Sequence, residues 1–246
     1  MKMKFKNKTK RIADIILTVF FPKRCVCCGK VIALDELFCE NCDVQKHRIA
    51  APRCKVCGQE ELRCCCGREK HAFDRLIAPF YYEEELRDSI RNLKYRGYID
   101  NGRFLAGEMV KVLNAEVDTD EIDLITAVPM TNKRKKHRGF SQTELLSGLI
   151  CKETGIKFEK TILKKIKDTP PQVGLDSKQR KKNLIGTIKI SKNADVKGKT
   201  VIICDDNKTT GATLDECAKL LKSAGAKQVI ALTAALSKNR LRGEAD

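Results

Sequence analysis

The sequence predicts an α/β protein in which a small zinc-binding module precedes a domain built on a parallel sheet. Ten of the 13 cysteines lie between Cys25 and Cys66. From Asp123 onward, strand-like and helix-like segments alternate, which is typical of parallel sheets with helical crossovers. The 246 residues suffice for one medium and one small domain. We expect a basic tail with a short helix at 1–24, the zinc module at 25–72 and the α/β domain at 73–246.

The first segment, residues 1–24, is basic and carries a short apolar stretch at 12–21. Asp14 interrupts that stretch, Pro22 ends it, and it is too short to span a bilayer. We expect an amphipathic helix packed on the protein, with contact to a membrane surface as a lesser alternative. The segment has no small-residue cleavage site of a secretory leader, so the expected location is the cytoplasm. Clustered cysteines there indicate metal binding rather than disulfides.

The first predicted metal site combines two C-x-x-C pairs. Cys25 and Cys28 are followed by Gly29, which lets the backbone turn so that amides can face the sulfurs. The second pair, Cys39 and Cys42, follows after a gap that fits a hairpin folding one pair over the other around a tetrahedral Zn²⁺. Four thiolates leave no open coordination position, so the site is predicted to be structural.

The second predicted zinc site begins with Cys54 and Cys57, and its other ligands are less obvious. Three consecutive cysteines follow at 64–66. Adjacent residues of an extended chain point to opposite faces, so Cys64 and Cys66 form the easier pair. His71 is an alternative ligand. The sequence therefore predicts one or two structural zinc ions.

The elements after residue 72 are assigned from hydrophobic spacing. The predicted strands are 76–82, 123–128, 200–206 and 227–236, and the predicted helices are 86–95, 102–113, 140–155 and 212–225. Ser141 is a candidate N-cap and Gly155 a candidate stop for the third helix. Residues 164–182 are basic and contain a Pro pair and a Gly, which predicts a long loop of the kind that often acts as a lid.

The strongest functional motif lies between the strand 200–206 and the helix that follows it. Asp205 and Asp206 stand at the carboxyl end of the strand, where ligands bind in open α/β sheets. These carboxylates suit sugar hydroxyls, close to a Mg²⁺ ion. A Thr-rich turn then enters the helix, where backbone amides favour a phosphate dianion. An acidic turn with a Thr N-cap is the simpler alternative. The predicted phosphate-binding residues are Thr209, Thr210, Gly211, Ala212 and Thr213.

This stretch resembles the phosphoribosyl diphosphate motif of type I phosphoribosyltransferases. From about Cys25 to the end, the whole chain resembles the ComF (ComFC-like) family, in which a double zinc ribbon precedes a type I phosphoribosyltransferase-like domain. The matching segments, in the family's order, are 93–97, 127–129, 137–142, 169–172 and 180–183, together with Arg134.

The resemblance implies a ligand and further site residues. The ligand would be phosphoribosyl diphosphate with Mg²⁺, and Asp205 and Asp206 would be the catalytic pair facing the ribose. A turn formed by Met130, Thr131 and Asn132 would bind the diphosphate. Four residues would close over it: Arg134, Arg138, and Gln172 and Arg180 from the loop.

Two departures from the family pattern leave the activity open. Asn207 and Lys208 follow the acid pair where apolar or aromatic residues are usual, and Ser141 replaces a frequent Asn. The resemblance implies a competence protein that assists DNA uptake in natural transformation and handles incoming single-stranded DNA in the cytoplasm, with competence proteins such as a helicase as partners. The alternatives are an active phosphoribosyltransferase of nucleotide salvage and a phosphoribosyl diphosphate sensor that has lost turnover.

The net charge is compatible with anionic partners. It is +17 with neutral cysteines, and would be about +13 with two four-thiolate zinc sites. A solubilising lysine-rich surface explains the same number. The sequence shows no aromatic-rich stacking surface, so any DNA contact is expected to be electrostatic and to weaken steeply with salt.

Overall fold

The computed structural model describes residues 22–64, 66, 70–168 and 186–239. Most of the expected N-terminal helix lies outside these ranges, and so do Gln172 and Arg180 of the predicted lid.

The regular elements of the α/β domain are seven strands and five helices in the described part of the chain. The strands are β1 (Arg75–Ile77), β2 (Phe80–Tyr81), β3 (Leu124–Ala127), β4 (Leu163–Lys165), β5 (Ile188–Ile190), β6 (Thr200–Lys208) and β7 (Gln228–Leu236). The helices are α1 (Glu84–Arg96), α2 (Ile99–Glu116), α3 (Asn132–Arg138), α4 (Gln142–Thr154) and α5 (Ala212–Ser223).

The central sheet is parallel, as the sequence predicts. Its order is β1-β7-β6-β3, and β2 pairs with β7 beyond the end of β1. The central strands are almost wholly buried, which is what parallel strands covered on both faces require. Val201 and Ile203 face one side of the sheet, and Ile202 and Cys204 the other.

Helices cover both faces of this sheet. α1, α2 and α4 pack on one face through side chains such as Leu93, Met109 and Ile150. On the other face α5 packs through Cys217 and Leu221. The carboxyl ends of β3 and β6 are thereby left open at one edge of the sheet, where the predicted ligand residues stand.

Some predicted element ends agree with the structure, and one differs. Ser141 caps α4 by accepting a hydrogen bond from the Glu144 N–H at 3.3 Å, and α4 stops before Gly155, as predicted. The predicted loop 164–182 begins inside β4, which pairs antiparallel with β5. The basic composition suggested a loop there, but its pairing partner lies more than 20 residues away and cannot be seen in the local pattern.

The cysteine-rich module is compact but contains little regular structure. Isolated bridges join Arg24 to Val31 and Arg53 to Glu60 beside the two C-x-x-C-G knuckles. Two short 3₁₀ turns, Gln45–His47 and Glu61–Arg63, connect the rest.

The first knuckle packs into the α/β domain. Cys25, Val26 and Cys27 are fully buried in the same core as α1 and α2. The Asn92 side chain donates a hydrogen bond to the Cys27 carbonyl at 2.7 Å, and Asn101 donates to the Val26 carbonyl. Cys27 is thus a packing residue between the module and the helices.

Among the described residues, no helix combines the length and the apolar character needed to cross a membrane.

Candidate functional site

The eight predicted zinc ligands form two clusters. The sulfur atoms of Cys25, Cys28, Cys39 and Cys42 all lie within 4.8 Å of one another, and those of Cys54, Cys57, Cys64 and Cys66 do the same. The Cys28–Cys39 sulfurs are 3.6 Å apart and the Cys54–Cys66 sulfurs 3.5 Å. Zn–S bonds of about 2.3 Å in a tetrahedron put sulfurs about 3.8 Å apart, whereas a disulfide needs about 2.0 Å. Both clusters therefore fit structural zinc.

Backbone amides lower the pKa of one thiol in each cluster, whereas burial raises the pKa of Cys28, Cys42 and Cys66. Burial acts to raise the pKa of the Cys25 thiol, but hydrogen bonds from the backbone of Cys39, Cys27 and Cys28 outweigh it and bring the pKa to about 7. The pKa of Cys64 is likewise lowered to about 7 against the effect of burial, with the Cys66 backbone as the main cause. A thiolate is the form that binds zinc.

His71, the alternative ligand for the second site, lies elsewhere. Its Nδ1 is 3.3 Å from the Asp215 carboxylate, and its ring stacks on Phe73 with 4.6 Å between centroids. The Ala72 N–H also donates to Asp215, at 3.0 Å. His71 therefore fastens the end of the zinc module to α5.

A third group of potential ligands, His47 with Glu84 and Glu85, is better described as an ion-pair network. The Lys46 ammonium lies 2.9 Å from a Glu85 oxygen and 3.1 Å from Glu84. Because a cation already neutralises these carboxylates, we assign no metal there.

The acid pair lies inside β6 rather than at its carboxyl end, because the strand continues to Lys208. Asp206 is buried, and both of its oxygens have partners. One oxygen is 2.8 Å from the Lys94 ammonium, and the other accepts a hydrogen bond from the Gln142 amide at 2.9 Å. Lys94 also donates to the Asn207 side chain at 3.0 Å.

Lys94 is a site residue that sequence reasoning missed. Burial acts to lower its pKa, but the carboxylates of Asp206 and Asp205 outweigh burial and raise it. Lys94 belongs to the family-like segment 93–97, which was the available signal. On an amphipathic helix, however, a single lysine is not distinguishable from a solvated one.

Asp205 is less enclosed than its neighbour Asp206. It is only half-buried by exposure, yet it has no directly bonded cation of its own among the described side-chain contacts. Desolvation and the adjacent Asp206 carboxylate raise the pKa of Asp205 to about 7.

A cavity of about 300 Å³ opens above the acid pair. Eight predicted residues line it: Met130, Thr131, Arg134, Arg138, Asp205, Asp206, Thr209 and Thr213. Of the other predicted residues, Thr210, Gly211 and Ala212 do not line it, although they form the turn that leads into α5. Asn132 lines an adjoining cavity of about 690 Å³ together with Met130 and Thr131.

The cavity is largely cationic on the side facing the acid pair. Arg134 and Thr131 both contact Asp168, with 3.6 Å between the Arg134 Nε and a carboxylate oxygen. Lys165, at the end of β4, lines both cavities. Burial, together with nearby Arg134, lowers the pKa of Lys165.

The two unusual residues after the acid pair have separate positions. Asn207 lines the cavity and accepts the hydrogen bond from Lys94. Lys208 is buried beneath the Thr-rich turn, where a Cβ at Gly211 would lie only 3.1 Å from its Cε atom. Neither residue disrupts the strand, which continues through both of them, so the fold accommodates Asn207 and Lys208.

Comparison with known proteins identifies the family. The family model described as "Phosphoribosyl transferase domain" matches residues 101–246, and "Double zinc ribbon domain" matches residues 16–73. Competence protein F of Haemophilus influenzae is 30% identical over 221 residues, which cover 85% of this chain and 95% of the relative. This chain belongs to the ComF family.

Two other relatives match over a similar share of both chains. Competence protein ComFC of Streptococcus pneumoniae is 28% identical over 204 residues, covering 79% of this chain and 86% of the relative. DNA utilization protein YhgH of Escherichia coli K12 is 26% identical over 208 residues, covering 83% and 86%. This ComF protein is therefore homologous to competence and DNA-utilization proteins and carries a phosphoribosyltransferase domain.

Proposed function

We propose that this ComF protein binds phosphoribosyl diphosphate at the open edge of its sheet and assists DNA uptake. The observation that carries the first part is the convergence of an acid pair, a Thr-rich turn at a helix N-terminus and two arginines on one cavity. These groups come from β6, α5 and α3. Together they match the sugar and phosphate parts of one small ligand.

The acid pair and the turn would hold the ribose 5-phosphate part. Asp205 and Asp206 accept hydrogen bonds from ribose hydroxyls, because ionised carboxylates are acceptors only. The 5-phosphate binds at the turn 209–213, where the first amides of α5 have no acceptor within the helix and the helix dipole favours an anion. Thr209 and Thr213 add hydroxyl donors from the cavity wall.

The diphosphate would bind on the opposite wall. Met130 and Thr131 form the turn after β3, and Arg134 and Arg138 follow on α3. Guanidinium groups donate in pairs to phosphate oxygens. Gln172 and Arg180 remain predicted contributors from outside the described residues.

The oxygen donors of the site fit Mg²⁺, with one restriction. Mg²⁺ is commonly held by one or two carboxylates together with substrate phosphates, and when bound it would neutralise diphosphate charge. One oxygen of Asp206 is already engaged by the Lys94 ammonium at 2.8 Å. Asp205 is therefore the carboxylate more available to the ion.

Turnover is a separate question from binding. The Lys94–Asp206 pair could position ribose hydroxyls in an active phosphoribosyltransferase of nucleotide salvage, or it could serve a sensor that binds without reacting. Formation of free diphosphate from the bound ligand, measured with a panel of nucleobases, distinguishes the enzyme from the sensor.

The second part of the proposal is handling of single-stranded DNA in the cytoplasm, with partners such as a helicase. Similarity to competence and DNA-utilization proteins supports a role with DNA, and the charge of the chain is compatible with it. The net charge is +17, and α3 has the sequence NKRKKHR. Phosphate contacts release counterions, so we expect the affinity for single-stranded DNA to fall steeply between low and physiological salt. An affinity that does not change with salt would contradict this part.

Calorimetric titration with phosphoribosyl diphosphate and Mg²⁺ tests the ligand assignment. The zinc-loaded wild type should bind, and Asp205→Asn/Asp206→Asn should not. A matched control is Asp120→Asn/Glu121→Gln, an exposed acidic pair near the amino end of β3, at the other edge of the sheet. The control should bind like the wild type. A wild type that shows no binding would refute the ligand assignment.

A further inference from the structure

Tyr95 is the most exposed aromatic side chain at the mouth of the cavity. It follows Lys94 near the end of α1, and 73% of its surface is open to solvent. It lines both the 300 Å³ cavity and a neighbouring one of about 420 Å³. A single exposed ring is ordinary on a protein surface, but this one stands where the two cavities meet.

The Arg138 guanidinium lies over this ring. Its central carbon is 5.2 Å from the ring centroid, within the range of cation–π contacts. Arg138 is held there by Gln142, whose side-chain oxygen accepts its hydrogen bond at 2.8 Å. The amide of Gln142 in turn donates to Asp206 at 2.9 Å.

Tyr95 and Arg138 are thus tied to the acid pair from two sides. Lys94, the residue before Tyr95, bonds one Asp206 oxygen, and Gln142, which holds Arg138, bonds the other. Two planar groups with different charge are consequently held in place beside the cavity. Such preorganisation lowers the entropic cost of binding a planar ligand between or upon them.

The cavity of about 420 Å³ is positively charged, as a site for a nucleotide would be. Apart from Tyr95, basic side chains dominate its wall, and Asp168 is the one carboxylate among the described residues that line it. It joins the phosphosugar cavity through Lys94, Tyr95, Arg134 and Arg138, which line both. A ligand that extends from one to the other would carry an aromatic part near Tyr95 and anionic parts near the arginines.

We propose that Tyr95 and Arg138 form a stacking subsite for a nucleobase. Every base presents a π-face, and both tyrosine rings and guanidinium planes are established stacking partners for bases. The base has two conceivable sources with the same chemistry. A free base would lie next to the bound sugar, and this source rests on the proposed function. The other source is a base of single-stranded nucleic acid, which would stack there while the phosphates of the strand lie on α3. This source does not depend on phosphoribosyl diphosphate binding.

The test compares Tyr95→Ala with Tyr95→Phe, which keeps the ring, and with Leu62→Ala, another exposed apolar residue (71% open) in the zinc module. Because Tyr95 and Leu62 are largely exposed, all three variants should melt like the wild type.

Equilibrium dialysis with adenine and with uracil, at saturating phosphoribosyl diphosphate, measures the binding of free bases. Fluorescence anisotropy with an oligothymidylate of about 15 nucleotides measures the strand source, and an abasic strand of equal length supplies the phosphates alone.

We expect Tyr95→Ala to weaken binding about 5- to 150-fold in at least one base-containing assay, the range for losing one base–aromatic stack. Tyr95→Phe and Leu62→Ala should bind like the wild type, and the abasic strand should not distinguish any variant. The assay that responds identifies the source of the base.

Three results would overturn the subsite. Tyr95→Ala could bind bases and strands as the wild type does, or lose affinity for the abasic strand equally. The wild type could also fail to bind free bases and bind the base-containing strand no more tightly than the abasic one. Failure of the wild type to bind phosphoribosyl diphosphate would instead refute the proposed ligand, and the strand assay would still decide the subsite.

Discussion

The two zinc knuckles have the same pattern, C-x-x-C-G, but they dock on different parts of the domain. The first, at 25–29, is buried against α1 and α2, and Asn92 binds its backbone. The second, at 54–58, packs against the sheet, where Gly58 contacts Leu76 and Leu236. The first knuckle therefore supports α1, which carries Lys94 and Tyr95 in its last turn, whereas the second supports the strands β1 and β7. One local motif can thus serve two structural purposes, depending on the surface it meets.

Loss of a zinc ligand should give the largest effect, and the effect should differ between the two clusters. Cys25→Ser should lower the free energy of unfolding by about 4 kcal/mol or more, since it removes a metal ligand. Cys64→Ser should cost about 1–3 kcal/mol less, because Cys25 is fully buried and Cys64 is not, and a buried unpaired hydroxyl adds that penalty.

Urea unfolding together with zinc content measures this difference. Each variant should retain one zinc ion per chain. Equal destabilisation by the two substitutions would show that docking on α1 and α2 adds nothing to the first site.

Removal of Lys94 tests the end of the helix that the first knuckle supports. Lys94→Met leaves the buried Asp206 carboxylate without its cation, and breaking a buried pair costs about 3 kcal/mol. The control is Lys238→Met, whose pair with Glu83 is partly exposed, at 3.7 Å, and is worth at most about 1 kcal/mol. The Lys238 ammonium also lies 5.1 Å from the centroid of the Tyr81 ring, a contact worth about 0.5–1 kcal/mol at an exposed site. Thermal melting compares the two, and similar losses would contradict a buried role for Lys94.

The glycines of the two knuckles allow a matched comparison. Gly29 and Gly58 have φ angles of 77° and 70°, so alanine at either costs about 1–2 kcal/mol of backbone strain. A Cβ at Gly58 would also lie 2.9 Å from the Leu76 carbonyl oxygen, whereas at Gly29 the nearest atom is 3.5 Å away, in the Tyr98 ring. Gly58→Ala should therefore be the more destabilising variant in urea, and the reverse order would place the tighter docking at the first knuckle.

The smallest expected effect concerns the side chains that hold the knuckles. Asn92→Ala removes the bond to the Cys27 carbonyl, and Gln59→Ala removes a 2.8 Å bond to the Ser237 carbonyl beyond β7. Each should cost about 1–2 kcal/mol of stability. Only Asn92→Ala should also weaken phosphoribosyl diphosphate binding, because only Asn92 lies on the helix of Lys94. Calorimetric titration of both variants with phosphoribosyl diphosphate measures this. Equal affinities would show that the docking of the first knuckle has no effect on the ligand site.

Much of the fold could be predicted because its signals are local. The eight clustered cysteines follow from spacing, and the parallel sheet follows from the alternation of buried strands and helices. The cap at Ser141 and the end of α4 before Gly155 likewise depend on neighbouring residues. The prediction that a loop begins at residue 164 was wrong, because the pairing of β4 with β5 depends on residues remote in sequence.

By itself, the sequence determined the two cysteine clusters and the order strand, acid pair, turn and helix, because each depends on residues only a few positions apart. Only the tertiary structure decided which side chains surround the acid pair. Lys94 and Gln142 reach Asp206 across separations of more than 60 residues, and Tyr95 meets Arg138 only because α1 and α3 end beside the same cavity. Contacts of this kind follow from how helices pack on a sheet, and no local pattern encodes them.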